Sequence, residues 1–96
     1  MSAGSGVDEA HEARTAVLAA ARELSARGLV EGTSGNVSAR VDDGRVCLTP
    51  SSLAYDAMTL DDLVIVDLDG QVIEGDRSPT TEKALHLACY RAYPEI

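Results

Sequence analysis

Three short runs carry residue types able to hold an anion: Gly32-Thr33-Ser34-Gly35-Asn36, Thr49-Pro50-Ser51-Ser52 and Ser78-Pro79-Thr80-Thr81-Glu82. Each places small hydroxyl, glycine or amide groups beside an expected break in regular structure, where backbone N–H groups are free to donate. That is the chemistry of a phosphate or oxyanion cradle. The third run adds a carboxylate, Glu82, in the first turn of an expected helix, where both an anionic ligand and an acidic side chain suit the helix dipole. Each run also has a plainer reading. Gly and Asn serve turn geometry between a helix and a strand, Ser and Pro punctuate strand ends, and Glu82 can act as a partner of the dipole. His86 follows Glu82 by one turn and shares a helix face with it, and Tyr90 and Tyr93 lie nearby. A Glu–His pair can hold a metal, but His in such a place more often joins a hydrogen-bonded network. His11, His86, Cys47 and Cys89 show no metal-ligand spacing.

The elements that must position these runs follow from pattern. Met1 to Val7 is small and Gly/Ser-rich and reads as a flexible terminus, with the domain proper over residues 8–96. Val17, Ala20, Ala21 and Leu24 recur at helical spacing over Asp8 to Arg27, and Gly28 sits where a left-handed terminator is wanted. Asn36 to Val41 and Arg45 to Thr49 read as a hairpin around Asp42-Asp43-Gly44, and Thr59 with Asp62 resembles the entry to a single helical turn. Leu63 to Leu68 is the most apolar run and reads as a central strand. Asp69-Gly70 then turns it into Gln71 to Glu74. Ser78 can cap a last helix with Pro79 at its first position, running to about Tyr93 and burying Leu85, Ala88, Cys89 and Ala92. The order helix, hairpin, hairpin, helix predicts an α+β fold, a three-layer α/β/α arrangement in which helices cover a central antiparallel sheet.

Composition narrows the partners. The 96 residues allow one domain and one small core, built from Val, Leu, Ile and Ala because there is no Trp or Phe. The formal net charge of −8 disfavours nucleic acid and anionic membrane surfaces, though a few N–H groups can still hold a small anion at contact distance. No apolar run is long enough to span a bilayer and no leader pattern opens the chain, so a cytoplasmic location is expected. Cys47 and Cys89 read as buried small hydrophobes. Four strands leave an open sheet edge, and the chain stops just after a helix at Tyr93-Pro94-Glu95-Ile96. This ending leads us to expect that further polypeptide completes the fold.

Taken together, Gly32 to Arg40, Leu48 to Ser52, Asp67 to Gly70, and Pro79 to Glu82 continuing through His86, Tyr90 and Pro94-Glu95-Ile96 resemble the N-terminal half of the class II aldolase/adducin family. That group includes fuculose phosphate aldolase, ribulose phosphate epimerase and methylthioribulose phosphate dehydratase. The resemblance implies a phosphorylated sugar as substrate, with Gly35, Asn36, Ser51, Ser52, Thr80 and Thr81 around the phosphate and Glu82 as acid/base. It implies a catalytic zinc, an enediolate, and a ring-shaped homo-oligomer, usually a tetramer. Glu82 could touch the zinc, whose histidine ligands in the family follow the Pro-Glu-Ile stretch. The expected activity is therefore that of a zinc-dependent aldolase-type lyase or isomerase when full length, the 96 residues alone being inactive.

One departure stands out. Ser52 occupies a place where aldolases of this group usually have Gly, and a side chain there narrows the approach to backbone N–H groups. Two other functions remain open on the same scaffold: a non-catalytic adducin-like scaffold or binding domain, and a decarboxylase or dehydratase.

Overall fold

Helix α1 spans Ser5–Ala26, starting three residues before the expected Asp8. Its end is built as the sequence indicates. Gly28 takes φ +70°, the Leu29 N–H bonds the Leu24 carbonyl and the Gly28 N–H bonds the Ser25 carbonyl, which is the Schellman arrangement. The chain is described by a computed structural model over residues 5–30 and 35–96, so Gly32, Thr33 and Ser34 of the first run lie outside the described residues.

Four strands follow, β1 (Ser38–Asp42), β2 (Arg45–Leu48), β3 (Val64–Asp67) and β4 (Val72–Glu74), forming one antiparallel sheet in the order β1-β2-β3-β4. Short 3₁₀ turns at Tyr55–Ala57 and Leu60–Asp62 join β2 to β3. The second is entered as expected: the Thr59 N–H and hydroxyl both donate to Asp62 Oδ2, at 2.9 and 3.1 Å. Arg77 binds the other oxygen of Asp62 at 2.7 Å and holds that carboxyl below its ordinary range, helped by the Thr59 bonds. At the β1–β2 turn the Gly44 N–H donates to Asp42 Oδ1, and Arg45 closes an ion pair on Asp42 Oδ2. At the β3–β4 turn Asp67 Oδ1 accepts from the N–H groups of Asp69 and Gln71, which fixes the Asp69-Gly70 hairpin.

Strands β2 and β3 lie inside the sheet and are covered on both faces. Cys47 and Ile65 join Val17, Ala21, Tyr55, Met58 and Leu63 in a core under α1, while Val46, Leu48, Val64 and Val66 form a second core against Leu87 of helix α2 (Lys83–Ala92). Burial on both faces explains why these strands read as apolar runs rather than as alternating patterns. Each fully buried Val, Leu, Ile or Met side chain contributes about 1.5–3 kcal/mol. The Cys47 thiol sits so deep that burial pushes its pKa up to about 11. The three-layer α/β/α arrangement expected from the sequence is the one observed.

The last helix departs from expectation in its start and its face. It begins at Lys83, and Pro79 faces Pro50 in an isolated antiparallel bridge instead of opening the helix. The Thr80 N–H bonds the Thr49 carbonyl and the Ser51 N–H bonds the Ser78 carbonyl, both at 2.9 Å, so the two prolines face each other between these bonds. Proline has no N–H to lose at such a non-hydrogen-bonded position. Helix α2 buries Leu87, leaving Leu85 (62% exposed), Ala88, Cys89 and Ala92 on the outside. Lys83 Nζ on the Gly70 carbonyl and Arg91 on the Leu68 carbonyl, one turn either side of Leu87, tie the Leu87 face to the β3–β4 hairpin. Cys89 is thus exposed, not buried. No helix among the described residues is long and apolar enough to cross a membrane.

Candidate functional site

Thr49 is the knot that brings the three runs together. It is fully buried: its N–H bonds the Val37 carbonyl, its hydroxyl accepts from the Val37 N–H at 3.2 Å, and its carbonyl accepts from Thr80. The Thr49 hydroxyl therefore holds the loop before β1 and faces away from any ligand. Antiparallel pairing of β1 with β2 places Gly35 and Asn36 beside the end of β2, and the proline bridge lays Thr80 to Glu82 along the other side.

The result is a cleft of about 280 Å³ lined by Gly35, Asn36, Pro50, Ser51, Ser52, Thr80, Thr81 and Glu82. All seven residues singled out from the sequence are in that lining, and Pro50 is the added member. The N–H groups of Gly35, Asn36, Ser52 and Thr81 find no acceptor among the described residues. No lysine or arginine lines the cleft, so an anion there would be held by neutral donors.

Two backbone details shape the mouth. Gly35 adopts φ +91°, and a Cβ at that position would lie 2.7 Å from Val30 Cγ1. Ser52, the residue standing where glycine was expected, has φ +60°, the left-handed region in which a side chain is strained. Ser52→Gly is therefore expected to raise stability by about 0.5–1 kcal/mol, the strain relieved outweighing the extra freedom of the unfolded chain. Denaturant unfolding of both proteins checks it; an unchanged or lower midpoint would refute the strain.

Glu82 occupies the N-cap position of α2 yet makes no capping bond, and its side chain is exposed at the cleft mouth. Thr80 is buried, and its hydroxyl accepts from the Glu82 N–H at 3.3 Å. This fixes the Glu82 backbone, while the carboxylate accepts no hydrogen bond and forms no ion pair among the described residues. Beyond the cleft, Asn36 Oδ1 contacts His86 Nε2, His86 Nδ1 lies 2.6 Å from Ser38 Oγ, and Ser38 Oγ lies 2.9 Å from Tyr90 Oη. His86 thus has the hydrogen-bonded surroundings weighed from sequence. Burial holds its pKa below the ordinary value, while the nearby Glu82 carboxylate works in the opposite direction. Ser38 was not singled out from sequence; it reads simply as a strand residue. Arg40 stacks over the Tyr90 ring at 5.0 Å and bonds carbonyls of Tyr90 and Tyr93 at the end of α2.

Residues 15–96 match the family model described as the class II aldolase and adducin N-terminal domain. The chain belongs to this family. Among curated proteins it is similar to a 5-methylthioribulose-1-phosphate/5-deoxyribulose-1-phosphate aldolase of Escherichia coli O45:K1, 48% identical over 80 residues, covering 83% of this chain and 37% of that protein. It is also similar to the L-ribulose-5-phosphate 4-epimerase of Salmonella typhi, 46% identical over 81 residues, covering 83% of this chain and 36% of that protein. Among solved structures, an L-fuculose 1-phosphate aldolase superposes with TM-score 0.76 at 29% identity over 83% of this chain and 38% of its own. The L-fuculose 1-phosphate aldolase from Glaciozyma antarctica PI12 gives TM-score 0.79 at 26% identity, over 97% and 40%. This class II aldolase/adducin domain therefore spans somewhat over a third of the length of those proteins.

A metal centre has little to rest on here. Among the described residues no group of three or more His, Cys, Asp or Glu is placed to hold a metal ion, and both His86 nitrogens are already engaged. Glu82 is the one carboxylate in the cleft lining.

Proposed function

We propose that the cleft binds the phosphate of a phosphorylated sugar and that Glu82 serves as the proton-transferring group beside it. The observation that carries this reading is the convergence of Gly35, Asn36, Ser51, Ser52, Thr80 and Thr81 on one cleft with Glu82 at its mouth. Free N–H groups and hydroxyls complement phosphate oxygens, and a carboxylate with no ion pair or capping bond among the described residues is available to take or give a proton. The names of the similar proteins, an aldolase, an epimerase and fuculose phosphate aldolases, support a sugar phosphate as the substrate of the full-length protein. Its reaction would be that of a class II aldolase-type lyase or isomerase working through an enediolate. We assign it to a cytoplasmic homotetramer that spares nucleic acid and membranes, with residues 8–96 as the N-terminal part of the domain.

Zinc belongs to this proposal only through Glu82, because the described residues do not close a metal site. Its remaining ligands would come from outside the described residues.

With neutral donors alone, each hydrogen bond is worth about 0.5–1.5 kcal/mol, so the dissociation constant for inorganic phosphate should be on the order of 1 mM. An NMR titration of the full-length protein with phosphate should move the amide signals of Gly35, Asn36, Ser52 and Thr81 together. Saturable shifts elsewhere, or none at these four, would remove the reading.

A further inference from the structure

The bonds around His86 have a direction, and it bears on the cleft. A carboxamide oxygen only accepts, so the contact of Asn36 Oδ1 with His86 Nε2 requires the proton on Nε2. A neutral imidazole carries one N–H, so Nδ1 must accept, and the partner at 2.6 Å, the Ser38 hydroxyl, must donate. The one proton of Ser38 is then committed. Its oxygen is free to accept from the Tyr90 hydroxyl at 2.9 Å. Every bond in the series follows from one assignment, the oxygen of the Asn36 side chain and not its nitrogen set against His86. With the carboxamide turned over, all three bonds would run the other way and the cleft would meet the carboxamide oxygen, which repels an oxyanion.

We propose that His86 is a positioning residue for the cleft: by donating from Nε2 to Asn36 Oδ1 it turns the Asn36 Nδ2 donors toward a bound oxyanion, and Tyr90 and Ser38 set the tautomer that makes this possible. The proposal rests on the oxyanion reading of the cleft. Asn36 lines both this cleft and the neighbouring groove of Ser38, Leu85, His86, Cys89, Tyr90 and Ile96, so it is the residue through which the relay reaches a ligand. Asn36 Nδ2 has no acceptor among the described residues, which leaves both its protons available. Tyr90 is held in place by Arg40 across its ring.

Two measurements on the full-length protein test this. The ¹⁵N signals of the imidazole should report a neutral ring protonated on Nε2 at pH 7; a ring protonated on Nδ1, or on both nitrogens, overturns the relay whether or not anything binds. Titration with sulfate, which keeps its charge across the working pH range, is followed at the Ser52 and Thr81 amides. Expected losses of affinity are about tenfold for His86→Leu and about threefold for Ser38→Ala. His86→Gln, which can still donate to Asn36 Oδ1, should recover most of the His86→Leu loss. Equal affinity of His86→Leu and the parent, or equal loss in the Leu and Gln variants, overturns the positioning role. If the parent itself binds neither sulfate nor phosphate at these loops, the oxyanion reading fails with it, and the tautomer result still judges the relay. Should His86→Leu lose its fold, Ser38→Ala carries the same comparison.

Discussion

Glu82→Gln in the full-length protein is expected to lower kcat by about 10²–10⁴-fold, the usual contribution of a positioned acid or base, while folding and phosphate binding persist. The argument starts from what Glu82 does not do. It stands at the N-cap of α2, where Ser, Thr, Asp or Asn would bond the helix N–H groups, yet its side chain makes no capping bond. It forms no ion pair among the described residues. Thr80, which could have capped, instead spends its hydroxyl on the Glu82 N–H and its own N–H on Thr49. A local rule is set aside where the carboxylate meets the cleft, and such lapses concentrate at functional sites. Because the carboxylate holds nothing in place, the isosteric amide should change stability by no more than about 0.5 kcal/mol. Denaturant unfolding, phosphate titration and turnover of the same variant separate these effects. Full turnover would end the assignment, and an unfolded variant would show that Glu82 is structural.

The chain's net charge of −8 does not decide this chemistry, since the cleft lining holds one acidic side chain and no basic one. What an oxyanion meets at contact distance is a set of N–H and O–H dipoles fixed by the surrounding backbone. Affinity then depends on how firmly those dipoles are aimed. That is why Thr49, which touches no ligand, matters to the site: its three bonds hold the loop before β1 and the segment before α2 in register.

Much of this was legible in the sequence because local chemistry settles it. Gly28 announces the end of α1, Asp69-Gly70 the hairpin, and the unbroken apolar run around Ile65 an inner strand. The residue types of the cleft were legible too. Their meeting was not, because it depends on the pairing of Thr49 with Thr80 and of Pro50 with Pro79, contacts far apart in sequence that no periodicity encodes. The same bridge delays α2 to Lys83, and the stripe of Leu85, Ala88, Cys89 and Ala92 that suggested a buried face points outward. In a ten-residue helix with two apolar stripes, the start and the tethers decide which one is buried, and these tethers are Lys83 and Arg91 on hairpin carbonyls. Ser38 gave no signal of its own. Its importance comes from facing His86 and Tyr90, whose spacing of one helical turn was the visible half of the network.

Gly35→Ala is expected to destabilise the chain by about 2–4 kcal/mol and to weaken phosphate binding more than tenfold. Two independent costs meet at this position. The backbone sits at φ +91°, where an L side chain is strained, and the new methyl would lie 2.7 Å from Val30 Cγ1 and 3.5 Å from the Tyr55 hydroxyl. Neither neighbour yields easily: Val30 is stiff about its χ1 and packs against the core under α1, and Tyr55 is buried. The loop must therefore lift, carrying with it the N–H groups of Gly35 and Asn36 that the cleft offers to an anion. Gly44 provides the control, since a Cβ there meets nothing within 4 Å and its φ is not in the left-handed region; Gly44→Ala should stay within about 0.5 kcal/mol of the parent and bind phosphate unchanged. Against a total stability of roughly 5–15 kcal/mol, the Gly35 cost is large enough to read in a single denaturation curve. Equal behaviour of the two variants would mean that the loop before β1 is free to move, and that the backbone donors at 35 and 36 are not held where an oxyanion could use them.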